Sequence, residues 1–394
     1  MNLSDCKEIL LKTHLDSLER NERAIGIVLE SGPGLGKTNV AGFEYPSDLC
    51  KILNKPVGMT REMLATITSA DVRGFMIPVK SPVAGELPQT VFSLPPWFPT
   101  RQNTYVFVPD KRAPNGVRIY EPGTWDGDLP DVGVLFLDEL GQAEDEVKKP
   151  AAELILNGQV GTTRLPSGWR VVAATNRVSD RSGVMRELMF LVNRRLLLKI
   201  TGEVKPWAEW ATSNDVHEMV ITFAESHPTI VFRDTVPDGD QPFCTPRSLV
   251  MTDRVLRALR SPEDVEADVL PMSDLAREAA SGLIGEGAAG QFYAHMRFFG
   301  QLPTLEEIEE NPEAAKLPAG KDGQMVVVFM LARRVTEENS SSIIIYISRM
   351  GAEMQIAALN IFNSNPKAQK ILLLTREYKT LIMRHKDVLR ASET

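Results

Sequence analysis

One segment constrains the fold more than any other: Ser31-Gly32-Pro33-Gly34-Leu35-Gly36-Lys37-Thr38, set directly behind the apolar run AIGIVLE at 24–30. A short buried run that breaks into glycines and resumes at a lysine and a hydroxyl predicts strand, phosphate loop and helix, in that order. Glycine lets the backbone curl so that several N–H groups and a helix start face one anion. On this reading Gly32, Pro33, Gly34, Leu35 and Gly36 form the cradle and Lys37 reaches the β- and γ-phosphates of a nucleotide. The Thr38 hydroxyl then binds Mg²⁺. The pattern GxxxxGK[ST] is broken at its first position, where Ser31 replaces glycine; serine is small, and tolerance is expected. Pro46 predicts an interruption in the helix that starts at Lys37, with a second helical piece over 47–53.

Two later apolar runs also end in polar residues. VGVLFL at 132–137 runs into Asp138-Glu139, and RVVAA at 170–174 runs into Thr175-Asn176. Carboxylates at the C-terminal end of a strand beside a phosphate loop suit two tasks. Asp138 would hold Mg²⁺ through water, and Glu139 would polarise an attacking water. Asn176 would orient that water from beside the γ-phosphate.

Strands alternating with helical segments predict an α/β nucleotide-binding core with a parallel sheet over about 23–204, behind an amphipathic N-terminal helix within 1–22. A second strand is expected at 63–67. The Pro- and Gly-rich stretch 78–130 reads either as hairpin insertions or as one long surface loop. Turn dipeptides at Asn157-Gly158 and Ser167-Gly168 predict a hairpin over about 157–170. From 205 the pattern turns helical, over 205–270 and again, mostly so, over 271–394. The acidic stretch 303–320 reads as a linker or an exposed helix.

In order along the chain, SGPGLGKT, LFLDE, VVAATN, LVNRRL and FCTPRSL resemble the Walker A, Walker B, sensor 1, arginine-bearing and sensor 2 segments of MoxR-like AAA+ ATPases. The likeness is greatest to the version found in phages and prophages. ADVRG at 70–74 is similar to the segment after the second strand, and the 157–170 hairpin to the pre-sensor-1 insertion. The resemblance implies a P-loop AAA+ core with a helical lid, ATP and Mg²⁺ as cofactors, and a ring, most often a homo-hexamer. It also implies that Arg194 enters a neighbouring subunit's site; the aromatic usually found next is Arg195 here, so either arginine fits, Arg194 the better. Arg247 matches the lid arginine that touches nucleotide. A protein partner carrying a von Willebrand factor A domain is implied as well, and with it a chaperone-like remodelling role.

A motor acting on nucleic acid is the alternative, with Arg164 and Arg170 of the hairpin lining a pore. A net charge of −8 and an acidic isoelectric point speak against coating nucleic acid by bulk electrostatics. A nucleotide-gated scaffold that barely turns over is a third reading, and Glu139 speaks against it. Cys6, Cys50 and Cys244 stand apart with no CxxC spacing, which fits a reducing cytoplasm. The longest apolar runs, at 325–332 and 343–347, are too short to span a bilayer. The five histidines have no ligand spacing, and Trp207 and Trp210, at i and i+3, read as one packed helix face.

Overall fold

The buried runs named above become neighbouring strands of one sheet in the computed structural model. It describes residues 1–394 except 81–86, 88, 114, 178–179, 181–192, 234, 238, 300–301 and 392–394. The described chain divides into two units, Met1–Pro206 with residues 235–237 and, separately, Trp207–Arg233 with Gly239–Thr394.

In the first unit the strands are β1 (Ile27–Ser31), β2 (Val57–Met63), β3 (Met76–Val79), β4 (Gln89–Phe92), β5 (Thr104–Pro109), β6 (Val117–Tyr120), β7 (Val132–Asp138), β8 (Gln159–Val160), β9 (Thr163–Arg164), β10 (Gly168–Asn176) and β11 (Leu196–Ile200). Seven of them form the main sheet in the order β11-β1-β10-β7-β2-β5-β6. The first five in that order pair in parallel, and β5 and β6 add an antiparallel edge. Alternate residues feed two cores. Ile27, Leu29, Val134 and Phe136 face the layer of α1 (Leu3–Glu19) and α3 (Tyr45–Leu53), while Val28, Leu135 and Leu137 face that of α5 (Asp145–Asn157).

Trp169 sets the spacing of three central strands. A Cβ on Gly58 of β2 would stand 2.6 Å from its indole ring, and one on Gly133 of β7 2.4 Å away. Gly58 and Gly133 are register partners, and Gly133 is also paired with Trp169. A fully buried indole therefore lies across two bare strands, its Nε1 donating to the Pro130 carbonyl at 2.9 Å.

Three expectations need correction. The second strand is β2 at Val57–Met63 rather than 63–67, which instead begins a 3₁₀ turn, Leu64–Thr66. Arg61 and Glu62 interrupt its apolar pattern because they emerge at its C-terminal end, so the hydrophobic signal there was misleading. Pro46 does not interrupt the helix: α2 (Lys37–Asn39) passes through a π-helical segment, Val40–Glu44, into α3. The wider turn resets the hydrogen-bond ladder just before the residue that lacks an N–H. The 78–130 stretch is not only surface. β3 and β4 pair antiparallel in a two-stranded sheet of their own, but β5 and β6 extend the main sheet, and Phe107 and Trp97 are buried.

The hairpin ahead of β10 is β8–β9, turned at Gly161. Arg164 is exposed on it, but Arg170 is 1% exposed within β10 and donates to the Leu10 carbonyl at 2.7 Å. Arg170 therefore cannot line a pore, because its strand is central to the sheet.

The second unit is helical and has two cores, one around Phe223, Leu249 and Phe292 and one around Val328, Ile344 and Phe362. Trp207 and Trp210 pack against the first. Arg333, on the helix Lys321–Arg334, pairs with Glu225 at 2.6 Å and Glu218 at 3.3 Å, both on the helix Glu218–Ser226. The 303–320 stretch contains a short helix, Leu305–Glu310, that buries Ile308. No helix among the described residues is long and apolar enough to cross a membrane.

Candidate functional site

Parallel pairing puts the C-terminal ends of β1, β10, β7 and β2 along one edge of the sheet. Ser31 is in register with Asn176, and Met63 with Asp138. Open α/β sheets bind ligands outside this edge, where strand order reverses and loops diverge.

The loop after β1 turns through Gly34 and Gly36, with φ of +73° and +91°. Those values lie in the left-handed region, which is strained for any residue with a Cβ, so glycine is required at both positions. No side chain caps the helical run that opens at Lys37, which leaves its first amides open to an anion. Lys37 is buried and folded back over the loop. Its Nζ donates to Ser31 Oγ at 2.8 Å, to the Ser31 and Gly32 carbonyls at 3.2 and 3.3 Å, and to Asn176 Oδ1 at 2.9 Å. Ser31 is thus more than a tolerated substitute for glycine. Its buried hydroxyl accepts from Lys37 and donates to the Gly32 carbonyl at 2.8 Å, giving the ammonium a partner that glycine lacks.

Across the edge, Thr38 Oγ1 donates to Asp138 Oδ2 at 3.0 Å. Asp138 Oδ1 accepts the Glu139 N–H at 3.0 Å, and Glu139 itself has a φ of +57°. The sharp turn at Glu139 costs about 1 kcal/mol or more for a residue with a Cβ and directs the chain out of the strand into the 3₁₀ turn Leu140–Gln142. A threonine hydroxyl and a carboxylate 3.0 Å apart make an all-oxygen donor pair. That suits Mg²⁺, which takes one or two protein oxygens and fills its shell with water and phosphate. Among the described residues no group of three or more His, Cys, Asp or Glu side chains is placed to hold a metal by itself.

The structure brings Lys37, Thr38, Asp138, Glu139 and Asn176 to one edge, with the loop residues Gly32–Gly36 beside them. Arg194 lies elsewhere. It is exposed in the turn before β11, and Leu196 pairs with Ile27 at the start of β1. The turn is therefore at the opposite edge of the sheet, about 13 Å or more from Ser31 at 3.3 Å per residue. Residues 191–192 of the LVNRRL segment lie outside the described residues. Arg247 is exposed in the first turn of the helix Pro246–Ala258, in the second unit, behind a reciprocal cap between Thr245 and Ser248.

Two residues at this edge went unnoticed in the sequence. Arg61 donates from Nη2 to Asp138 Oδ2 at 2.8 Å. Arg177, next to Asn176, holds both oxygens of Asp180 through Nε at 3.1 Å, and its Nη2 would stand 2.9 Å from a Cβ on Gly32. Correct placement of β2 would have located Arg61 two positions before that strand's end. Beside it, burial pushes the Glu62 carboxyl above the usual carboxylate range, with the Met63 amide acting the other way.

No protein-family model and no curated protein matches the chain. Among solved structures, it is similar to the RuvB Holliday junction branch migration motor of Thermotoga maritima, at 14% identity over 97% of this chain and 87% of that one, with a TM-score of 0.36. It is also similar to NtrX from Brucella abortus in complex with ADP, at 14% identity over 96% and 68% of the two chains, with a TM-score of 0.31. Likeness this distant leaves the chemistry to the chain's own residues, and these present a glycine-rich loop and two polar strand ends at one edge of a parallel sheet.

Proposed function

We propose that this chain is a Mg²⁺-dependent ATPase of the AAA+ type, MoxR-like and of the kind found in phages, working as a homo-hexameric ring that remodels or activates a protein partner. One observation carries the nucleotide reading. Lys37 and Thr38, adjacent in the loop, meet Asn176 of β10 and Asp138 of β7, so three strand ends converge where a triphosphate would lie.

The open amides of the loop would bind the β- and γ-phosphates, with Lys37 turning from Ser31 and Asn176 toward them. Thr38 and Asp138 would hold the metal, which would supply charge neutralisation between the phosphate oxygens. Glu139 would polarise the attacking water and Asn176 would hold it in line. Arg247 matches the arginine that, by the resemblance, would touch nucleotide.

The position of Arg194 supports an action in trans. It lies at the sheet edge away from its own loop, so a role at a phosphate would have to be played at a neighbour's site. A partner with a von Willebrand factor A domain follows from the resemblance alone. Three buried free thiols, whose pKa values burial pushes up to about 11 to about 12, suit a reducing cytoplasm.

Light scattering of the Glu139→Gln protein, with and without ATP, tests the ring. Assembly on ATP is expected, and Arg194→Ala should keep nucleotide binding while losing turnover. A persistent monomer would undermine the trans mechanism and favour a nucleotide-gated scaffold, whereas unchanged turnover in Arg194→Ala would refute the trans role of Arg194.

A further inference from the structure

Asp138 is nearly buried, with its side chain 10% exposed, and its Oδ2 accepts from two donors at once: Thr38 Oγ1 at 3.0 Å and Arg61 Nη2 at 2.8 Å. Arg61 is thus a cation paired with this carboxylate, at the oxygen that also accepts from Thr38. A carboxylate withdrawn from water needs a neighbouring positive charge, and the guanidinium supplies one at the oxygen that a metal shared with Thr38 would take. Arg61 is also able to leave. Its side chain is 38% exposed and sits on the last turnless residues of β2, where a long side chain can swing into water without disturbing the sheet.

We propose that Arg61 is a built-in stand-in for the metal, neutralising Asp138 and keeping it aimed at Thr38 until Mg²⁺ arrives, and released from Oδ2 when it does. This rests on the reading that Thr38 and Asp138 hold the metal. Arg61 is a positioning residue here, acting through Asp138. Its competition with metal has a distinctive sign. Without Arg61 the nucleotide-free site should bind a divalent cation more tightly. ATP without metal should bind less tightly, because its phosphates then approach an unneutralised carboxylate. A merely structural role would weaken both.

The probe is Mn²⁺, followed by the paramagnetic resonance of the free ion, added to nucleotide-free wild type, Arg61→Gln, Arg61→Lys and Asp138→Asn. ATP binding in excess chelator is measured calorimetrically on the same proteins. Arg61→Gln is expected to bind Mn²⁺ about fivefold more tightly than wild type, the worth of a part-exposed ion pair. Its metal-free ATP affinity should fall by a similar factor, and Arg61→Lys should lie between. Unchanged or weaker Mn²⁺ binding in Arg61→Gln would overturn the proposal. An equal loss of ATP affinity with and without metal would also overturn it, making Arg61 a direct phosphate ligand. Asp138→Asn separates the premise from the inference. If Mn²⁺ binds it as it binds wild type, the metal reading itself has failed; if binding is lost while Arg61→Gln behaves as wild type, only the stand-in has failed.

Discussion

Acid should loosen the first unit through one residue, His14 of α1. Its ring is fully buried between Tyr45 and β10, with Nε2 at 3.1 Å from the Gly168 carbonyl and Nδ1 at 2.5 Å from the Tyr45 hydroxyl. A carbonyl only accepts, so Nε2 carries the proton and Nδ1 accepts from the phenol. A second proton would place a buried cation near Arg170. Burial first, and Arg170 second, lower the His14 pKa from 6.5 to about 3. The folded state thus stays neutral where the unfolded chain takes up a proton, so this contribution to stability is complete above about pH 7. It is lost progressively as pH falls from 6.5 toward about 3. One proton gives a slope approaching about 1.4 kcal/mol per pH unit, and about 2 kcal/mol between pH 7 and pH 5. His14→Gln keeps one donor and one acceptor at comparable positions but cannot titrate. Urea unfolding of both proteins at pH 7 and pH 5 isolates the effect, since other buried groups such as His295, lowered to about 4 by burial and by His227, cancel in the difference. Wild type should lose about 2 kcal/mol relative to the variant on acidification. Parallel pH dependences would refute the assignment of His14 as a buried neutral ring.

Two further substitutions probe the scaffold and the chemistry. Gly133→Ala sets a methyl group 2.4 Å from a fully buried indole, and should cost about 1–3 kcal/mol in urea unfolding; a neutral result would mean that Trp169 can move. Asn176→Ala should lower turnover about a hundredfold while leaving ATP binding within a few-fold, measured by steady-state hydrolysis beside equilibrium titration; turnover within twofold of wild type would remove Asn176 from the chemistry.

The glycine-rich loop and both polar strand ends were legible without coordinates because each is a local pattern: apolar residues that bury a strand, followed at once by residues that glycine geometry or charge places outside it. The roles proposed for them rest on residue type and order. Arg61 was not legible, since its significance comes from parallel pairing of β2 with β7, a contact 77 residues apart in the chain. The same holds for Ser31, read as a harmless replacement until Lys37 was seen donating to its hydroxyl. Arg170 was misread for the converse reason: an arginine in a strand looks exposed by residue type, and only the packing of α1 over β10 buries it against the Leu10 carbonyl. The sequence by itself determined the glycine-rich turn and the polar residues that close two buried strands, because the α/β alternation and the turn act over a few neighbours. Tertiary structure alone decided which strand ends meet and which cation faces Asp138, because strand order is set by burying side chains distant in the chain, and no local pattern encodes the partner.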